Sequence, residues 1–389
     1  MDIFREYTSL NYRENRYLIH KKSGAILLLN GSAAMFVDLH AEKLSKSQIC
    51  NKVSSAMGID PARIETDLKS FIQTLQGQSS YTFETDQLNG SKSPEWTPMT
   101  LDLTGGYQTF YSVGGLEFNI VCSSSAVSQF CEAQFAPLSI RQLLQDTAVD
   151  IKVIESYEGW AIECDGSLID LVPEESSVVG RLRGLMLERI GGQYRYSIGI
   201  HAAAVLTADS LALLFSAPSG YGKSTLSTYL SLNGNASLGD DSLVVDLITQ
   251  MVIPFPASAK LAPGSIDALG LGGDGSFDRL RRIDGDFESS EGPVKLFAPS
   301  DQSQTLTVPR LAKALIFPKY DSAGRTEIRA LDVADVFSRL MISGVCWNQD
   351  PSTGLAEAYI NFVAGMSAYE LNYSSSVQAR DLLLELDLL

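Results

Sequence analysis

The run Leu211–Leu226, LALLFSAPSGYGKSTL, places a lysine and two hydroxyl residues directly behind a glycine-containing turn. That spacing suits phosphate chemistry. Leu211–Ser216 reads as a buried parallel strand, and Ser224–Leu232 has helical spacing that stops at Asn233-Gly234. Strand, turn and helix in that order make a phosphate-binding loop. Within Ser219-Gly220-Tyr221-Gly222 the two glycines let backbone N–H groups turn toward a triphosphate at the positive end of the helix. Lys223 would reach the β/γ-phosphates, Ser224 would ligate magnesium, and Thr225 completes the loop. ATP and Mg2+ are the expected ligands. The pattern G-x-x-x-x-G-K-[ST] has glycine where this chain has Ala217, a change tolerated if the backbone there needs no positive φ. The bland alternative is an ordinary glycine-rich turn with an exposed lysine.

Downstream, Gly239-Asp240-Asp241-Ser242 leads into the apolar strand Leu243–Leu247. Adjacent carboxylates are costly unless positive charge sits nearby. One would hold a metal ion or its water while the other takes the proton of an attacking hydroxyl, as phosphoryl transfer requires. A solvated Asp-Asp turn is the alternative reading. His201 stands before the apolar stretch Ala202–Leu206, one strand upstream of the loop. If those strands are neighbours, its imidazole faces the γ-phosphate; a structural histidine is the alternative. Lys260, after the Pro254–Pro256 turn, is a further phosphate contact or a solvated lysine.

These residues need a scaffold, and 389 residues with 45% hydrophobic content supply two or three packed domains. No apolar run is long enough to span a membrane, and the N-terminus MDIFREYTSLNYREN lacks a signal-peptide core, so a cytoplasmic protein is expected. Five scattered cysteines without a C-x-x-C pair fit reduced thiols, and three isolated histidines argue against zinc. A net charge of −16 argues against nucleic acid as a partner. Charge is uneven, with ten Lys/Arg against eight Asp/Glu in residues 1–76 and 20 against 38 in the remainder. Two parts with separate tasks follow from that.

Residues 1–76 read as a small α+β, winged-helix-like domain. Arg16–His20 and Ala25–Asn30 form a hairpin around Lys22-Ser23-Gly24. Helices are expected over Ser32–Leu39, Ser47–Met57 and Ile64–Leu75, the last with Ile64, Leu68, Phe71, Ile72 and Leu75 on one face. Residues 77–98 have linker composition. Between 99 and 200, strands are expected at Thr100–Leu103, Tyr107–Val113, Leu116–Val121, Ile151–Tyr157 and Trp160–Cys164, with a helix over Ser177–Arg195. From 201 to 389 strands and helices alternate as in an α/β core, with late helices at Phe337–Ser343 and Val377–Leu386.

His201–Val205, Ser216–Thr225, Leu238–Asp241, and Pro254–Pro256 with Lys260-Leu261 together resemble HPr kinase and its relatives in order and spacing. Glu291–Val294 and Leu315–Tyr320 resemble the branch called HPr-kinase-related kinase A. The resemblance implies an α/β P-loop kinase domain of HPr kinase/PEP-carboxykinase type, with residues 99–200 as its flanking β-rich part and 201–389 as its catalytic core. It also implies that His201 lies near the transferred phosphate and that Asp240 and Asp241 serve as base and metal contact. HPr kinases form hexamers, which leaves a homo-oligomer open. Bacterial members carry a later Arg-Gly-Leu-Gly-type signature tied to phosphorylase activity. Here the nearest string, Leu269–Gly273, lacks the arginine, so HPr and phosphorolysis are not expected.

The N-terminal part resembles PqqD-like recognition elements, which bind leader peptides of ribosomally made, modified peptides. The matching residues are Arg16–His20, Gly24, Ile26–Asn30, Gly31–Ala34 and the helix ending at Leu75. Such a module captures an extended peptide by strand addition; a packing or dimerisation domain is the alternative. The combined expectation is an ATP-dependent kinase of HPr-kinase type that phosphorylates a serine hydroxyl on a precursor peptide held by its N-terminal domain. Asp240 would be the base, Asp241 with Ser224 the metal contact, and His201 the γ-phosphate contact. The alternatives are a nucleotide-switched peptide-binding regulator without phosphotransfer and a small-metabolite kinase.

Overall fold

The structure, a computed structural model, describes residues 2–12, 15–21, 26–79, 106–145, 147–271, 279–289, 292–300, 307–348 and 352–389. Among these described residues the architecture is mixed α/β, with four sheets.

At the N-terminus, β1 (Tyr7–Tyr12), β2 (Asn15–His20) and β3 (Ile26–Leu29) form an antiparallel meander, followed by α1 (Gly31–Ala41), α2 (Lys46–Met57) and α3 (Pro61–Ser79). Each helix start follows from local chemistry. Asn30 accepts the Ala33 N–H at the head of α1, and Ser45 with Gln48 makes a reciprocal capping box on α2. Gly58, at φ 67°, ends α2 in the left-handed conformation that favours glycine. In α3 the expected stripe is real, with Ile64, Leu68 and Leu75 fully buried. The sequence reading missed β1, whose YTSLNY has weak alternation and is held by pairing Tyr7 to His20. The expected turn Lys22–Gly24 lies outside the described residues, as do residues 80–98 of the expected linker and the strand Thr100–Leu103.

A six-stranded sheet comes next: β4 (Tyr107–Val113), β5 (Leu116–Cys122), β6 (Ser139–Ile140), β7 (Val149–Ser156), β8 (Gly159–Cys164) and β9 (Ser167–Val172), in the order β6-β4-β5-β7-β8-β9. Helix α4 (Ser125–Gln134) crosses between the parallel pair β5 and β7, and α5 (Glu175–Gly191) covers the sheet with Val178, Leu182, Leu185 and Met186. The helix expected over Ser177–Arg195 stops at Gly191, before Gly192. Neither β9 nor α4 was anticipated, because SLIDLV and SAVSQFCEAQ are short segments whose burial is decided by the sheet around them.

The largest sheet has ten strands. They are β10 (Ser197–Ile200), β11 (Ala202–Leu206), β12 (Ala212–Ser216), β13 (Ser237–Gly239), β14 (Leu243–Asp246), β15 (Met251–Ile253), β19 (Arg310–Tyr320), β20 (Glu327–Ala330), β21 (Val345–Trp347) and β22 (Ser367–Tyr373). Between β15 and β19, a separate three-stranded sheet holds β16 (Ala259–Leu261), β17 (Leu280–Ser289) and β18 (Gly292–Pro299). The helices are α6 (Lys223–Leu232), α7 (Pro263–Ala268), α8 (Val333–Ser343), α9 (Thr353–Gly365) and α10 (Ser376–Glu385). Strand β12 is parallel to β19 but antiparallel to β11, so the expected parallel strand sits in a mixed sheet. Its unbroken apolar character has a clear cause: Ala212 and Leu214 face one core with α8 and α9, while Leu213 and Phe215 face another with α6 and α10.

The N-terminal sheet shares the first of those cores. Leu10, Tyr17 and Ile19 pack in one cluster with Phe337, Tyr359 and Phe362, and the rings of Tyr17 and Phe337 meet edge-on at 5.7 Å. One face of the three-stranded sheet is thereby closed to solvent by α8 and α9.

Candidate functional site

The site is built on one edge of the ten-stranded sheet. Strand β12 ends there at Ser216, antiparallel β11 begins there after His201, and β13 ends there before Asp240. Adjacent strands in these directions must bring the three segments together. Ser216 Oγ donates to the carbonyl of His201 at 3.1 Å, tying the base of the loop to that residue.

The loop Ala217–Gly222 then turns into α6. Ala217 is buried and takes no positive φ, which explains why glycine is dispensable at this position. Gly220 and Gly222 lie at φ +82° and +83°. At Gly222 an added Cβ would stand 2.2 Å from Tyr373 Oη, so glycine is demanded by both space and backbone. Tyr373 Oη donates to the Gly222 carbonyl at 2.8 Å and fixes the loop against β22. No side chain caps α6, so its first-turn N–H groups face the loop, an arrangement that favours an anion.

Four basic side chains converge on Asp241. Arg183, on α5, pairs with its Oδ2, His201 Nε2 lies 3.4 Å from Oδ1, and Lys223 Nζ lies 3.8 Å from the same oxygen. Lys260, on β16, is the fourth basic group acting on it. Burial pushes the Asp241 carboxyl upward, but Arg183, His201, Lys223 and Lys260 outweigh it and hold the group well below the usual carboxylate range. Asp240 is the opposite case. It is buried, accepts a hydrogen bond from Ser227 Oγ at 3.2 Å and another from the Ser224 hydroxyl, and is pushed up by burial and by the neighbouring charge of Asp241. One carboxyl is held ionised while its neighbour holds its proton more tightly, a separation suited to distinct roles.

Asp240, Asp241, Arg183 and Lys260 line a small pocket with Gln134 and Ser258. Gln134 Nε2 donates to Ser258 O at 2.6 Å, and Ser258 Oγ donates to Ala133 O at 2.7 Å. These bonds lock α4 to the segment carrying Lys260. Of the residues singled out in the sequence, His201, Lys223, Ser224, Asp240, Asp241 and Lys260 come together. Ser219, Gly220 and Tyr221 lie in the loop, while Thr225 Oγ1 bonds Ser265 Oγ on α7 at 2.9 Å. Two residues that bond the acids were missed. Ser227 follows Ser224 by one helical turn and was readable from that spacing, whereas Arg183, one of three arginines on α5, carried no signal.

The oxygen-rich donors here suit magnesium, a hard cation that takes few protein ligands and leaves the others to phosphate and water. Among the described residues no group of three His, Cys, Asp or Glu could by itself hold a metal ion. Also among the described residues, no helix is long and apolar enough to cross a membrane.

Residues 16–79 match the family model of coenzyme PQQ synthesis protein D (PqqD). No curated protein matches the sequence closely enough to count as a relative. Among solved structures, the Hpr(Ser) kinase/phosphatase from Coxiella burnetii aligns over 49% of this chain and 98% of its own, at 10% identity and a TM-score of 0.23. That likeness is too distant to establish a shared fold. The chain thus carries a PqqD-like domain at its N-terminus, joined to a mixed α/β body that holds the loop and carboxylate site.

Proposed function

We propose that this protein is an ATP-dependent kinase that phosphorylates a serine hydroxyl on a ribosomally made precursor peptide held by the PqqD-like domain. In this reading residues 1–76 recognise the leader, 77–98 link, and 99–200 flank a P-loop catalytic core of HPr-kinase type at 201–389. One observation carries it: a loop with Gly220 and Gly222 at positive φ opens α6 on the same sheet edge that gathers Lys223, Asp240, Asp241 and His201.

The triphosphate lies on the N–H groups of Ser219–Thr225, with Lys223 between the β- and γ-phosphates. Ser224 and Asp241 would hold magnesium, which when bound offsets charge on the phosphate oxygens. Asp240 takes the serine proton as the serine oxygen bonds to the γ-phosphorus and the bond to the β-phosphate oxygen breaks, releasing ADP. Its upward-shifted carboxyl is a better proton acceptor than an ordinary aspartate. His201 and Lys260 orient the γ-phosphate, and Arg183 holds Asp241 in place. Leader capture raises the local concentration of the acceptor serine, so contacts at the reacting residue need not be strong. The setting is cytoplasmic, where ATP is supplied.

Docking of the N-terminal sheet on α8 and α9 favours a second reading, a peptide-binding regulator whose affinity is switched by nucleotide. Incubation with ATP, magnesium and a candidate precursor peptide, read by intact mass, separates the two. A kinase adds one phosphate unit, and Asp240→Asn abolishes the gain while ATP still binds. A regulator adds none, and its peptide affinity still responds to ATP in the variant.

A further inference from the structure

The three parallel strands β12, β19 and β22 end on the edge that carries the site, but not at the same height. Phe215 is level with Ile316, whereas β19 continues through Pro318 and Lys319 to Tyr320, level with Tyr373 on β22. The two longer strands therefore stand as a wall beside the loop. Its inner corner is aromatic. Tyr320 N–H donates to Tyr221 O at 3.1 Å, and the Tyr320 and Tyr373 rings meet edge-on at 5.4 Å. Tyr373 is buried, but Tyr221 and Tyr320 are 41% and 49% exposed, unusual for large rings with no core to fill.

Immediately past this wall lies an open groove of about 600 Å3, within the range of small-ligand sites. Arg325, Thr326, Ser374, Gln378, Asp381 and Glu385 line it. Ser374 directly follows Tyr373, and its N–H donates to Thr326 Oγ1 at 3.2 Å, so the groove is joined to the loop through a single residue. Gln378, Asp381 and Glu385 share the exposed face of α10 at helical spacing. The acids and His201 sit on the other side of the loop, at the ends of β11 and β13.

A triphosphate on the loop then has only one polarity that places its terminal phosphate at Asp240 and Asp241. Its nucleoside must leave toward β19 and β22. From β12 to β22 is two strand spacings, roughly 10 Å, the scale of the step from phosphate chain to ribose and base. We infer that the groove between the 324–326 segment and α10 is the nucleoside subsite, with the nucleoside passing the exposed rings of Tyr221 and Tyr320 before it reaches Gln378 and Asp381. Ligands binding outside the carboxyl ends of parallel strands follow the same rule in open α/β sheets generally.

This inference rests on the kinase reading, and the experiment keeps the two apart. ATP and inorganic tripolyphosphate, which lacks a nucleoside, are titrated calorimetrically into wild type, Gln378→Trp, Asp381→Asn and Lys223→Ala. Gln378→Trp fills the groove from an exposed helix position, so folding is spared; circular dichroism checks it. The expected result is that the two α10 variants weaken ATP about tenfold and leave tripolyphosphate within about twofold, while Lys223→Ala weakens both. If wild type binds neither compound, the phosphate-loop reading itself fails. If both bind and the α10 variants leave ATP unchanged, or weaken both compounds alike, the nucleoside lies elsewhere and the inference is overturned.

Discussion

The sheet edge around the loop and the N-terminal domain put their chemistry in different places. At the loop, the working groups are side chains and backbone amides fixed by short spacings: Gly220, Gly222, Lys223 and Ser224 lie within five consecutive positions. Among the described residues of the N-terminal domain no comparable group of reactive side chains stands out, and its distinguishing feature is a three-stranded sheet with one face buried on α8 and α9. Chemistry demands particular atoms at particular places. Strand-wise recognition demands only an accessible backbone edge, which many sequences supply.

The largest effect that would sharpen this contrast comes from Asp240→Asn. Phosphate transfer should fall ~10²–10⁴-fold, as for loss of a general base, with peptide affinity for the N-terminal domain unchanged. Steady-state rates and fluorescence anisotropy read the two quantities, and a parallel loss of both would break the division of labour.

Tyr17→Ala tests the opposite region. Tyr17 is 2% exposed and packs on Phe337, so its truncation should cost ~3 kcal/mol in chemical denaturation. Because the ring belongs to the shared core, one cooperative transition should shift. A separate early transition would show that the N-terminal domain unfolds by itself.

Gly222→Ala should cost about 1–3 kcal/mol for a non-glycine residue at φ +83°, and more in nucleotide affinity, since the methyl group displaces Tyr373 from the loop. Thermal melts with and without ATP separate these contributions; an unchanged shift with ATP would exclude Gly222 from the phosphate cradle.

The smallest effects distinguish the two neighbouring acids by sign. Asp241 has a lowered folded pKa, so its stabilisation is present above the ordinary value of 3.8 and is lost as pH falls toward the folded value. Asp240 has a raised one, so its contribution is present below 3.8 and is lost as pH rises through the folded value. At neutral pH Asp241→Asn should cost ~2 kcal/mol, less than for a fully buried pair because the carboxylate keeps some solvent contact. Asp240→Asn should cost nothing or stabilise. Denaturation at pH 7 and near pH 2 is the check, with the Asp241→Asn penalty shrinking at the lower pH.

Much of the site was legible because its residues are close in sequence or stand at strand ends. The helix bounds of α6 and the strand β12 came from apolar spacing and the Asn233-Gly234 stop, and both hold to within a residue. The tolerance of Ala217 followed from a backbone argument that the observed φ bears out. His201 was tied to the loop only on condition that two strands are neighbours, and the β11–β12 ladder meets that condition. Other elements were not legible. Strand β1, helix α4 and helix α9 have patterns that make sense only against the surfaces that bury them.

By itself the sequence determined a strand, a glycine turn and a helix around Lys223, a pair of acids behind them, and an N-terminal segment of PqqD-like pattern. These rest on local properties: backbone freedom at glycine, helical and strand periodicity, and the reach of one side chain to the next turn. Only the tertiary structure decided that Arg183, forty residues before the lysine, clamps Asp241, and that Asp240 and Asp241 are shifted in opposite directions. It alone placed the three-stranded sheet on α8 and α9 and set Tyr320 beside Tyr221. Charge coupling and burial depend on distance and solvent exclusion, which chain order does not encode.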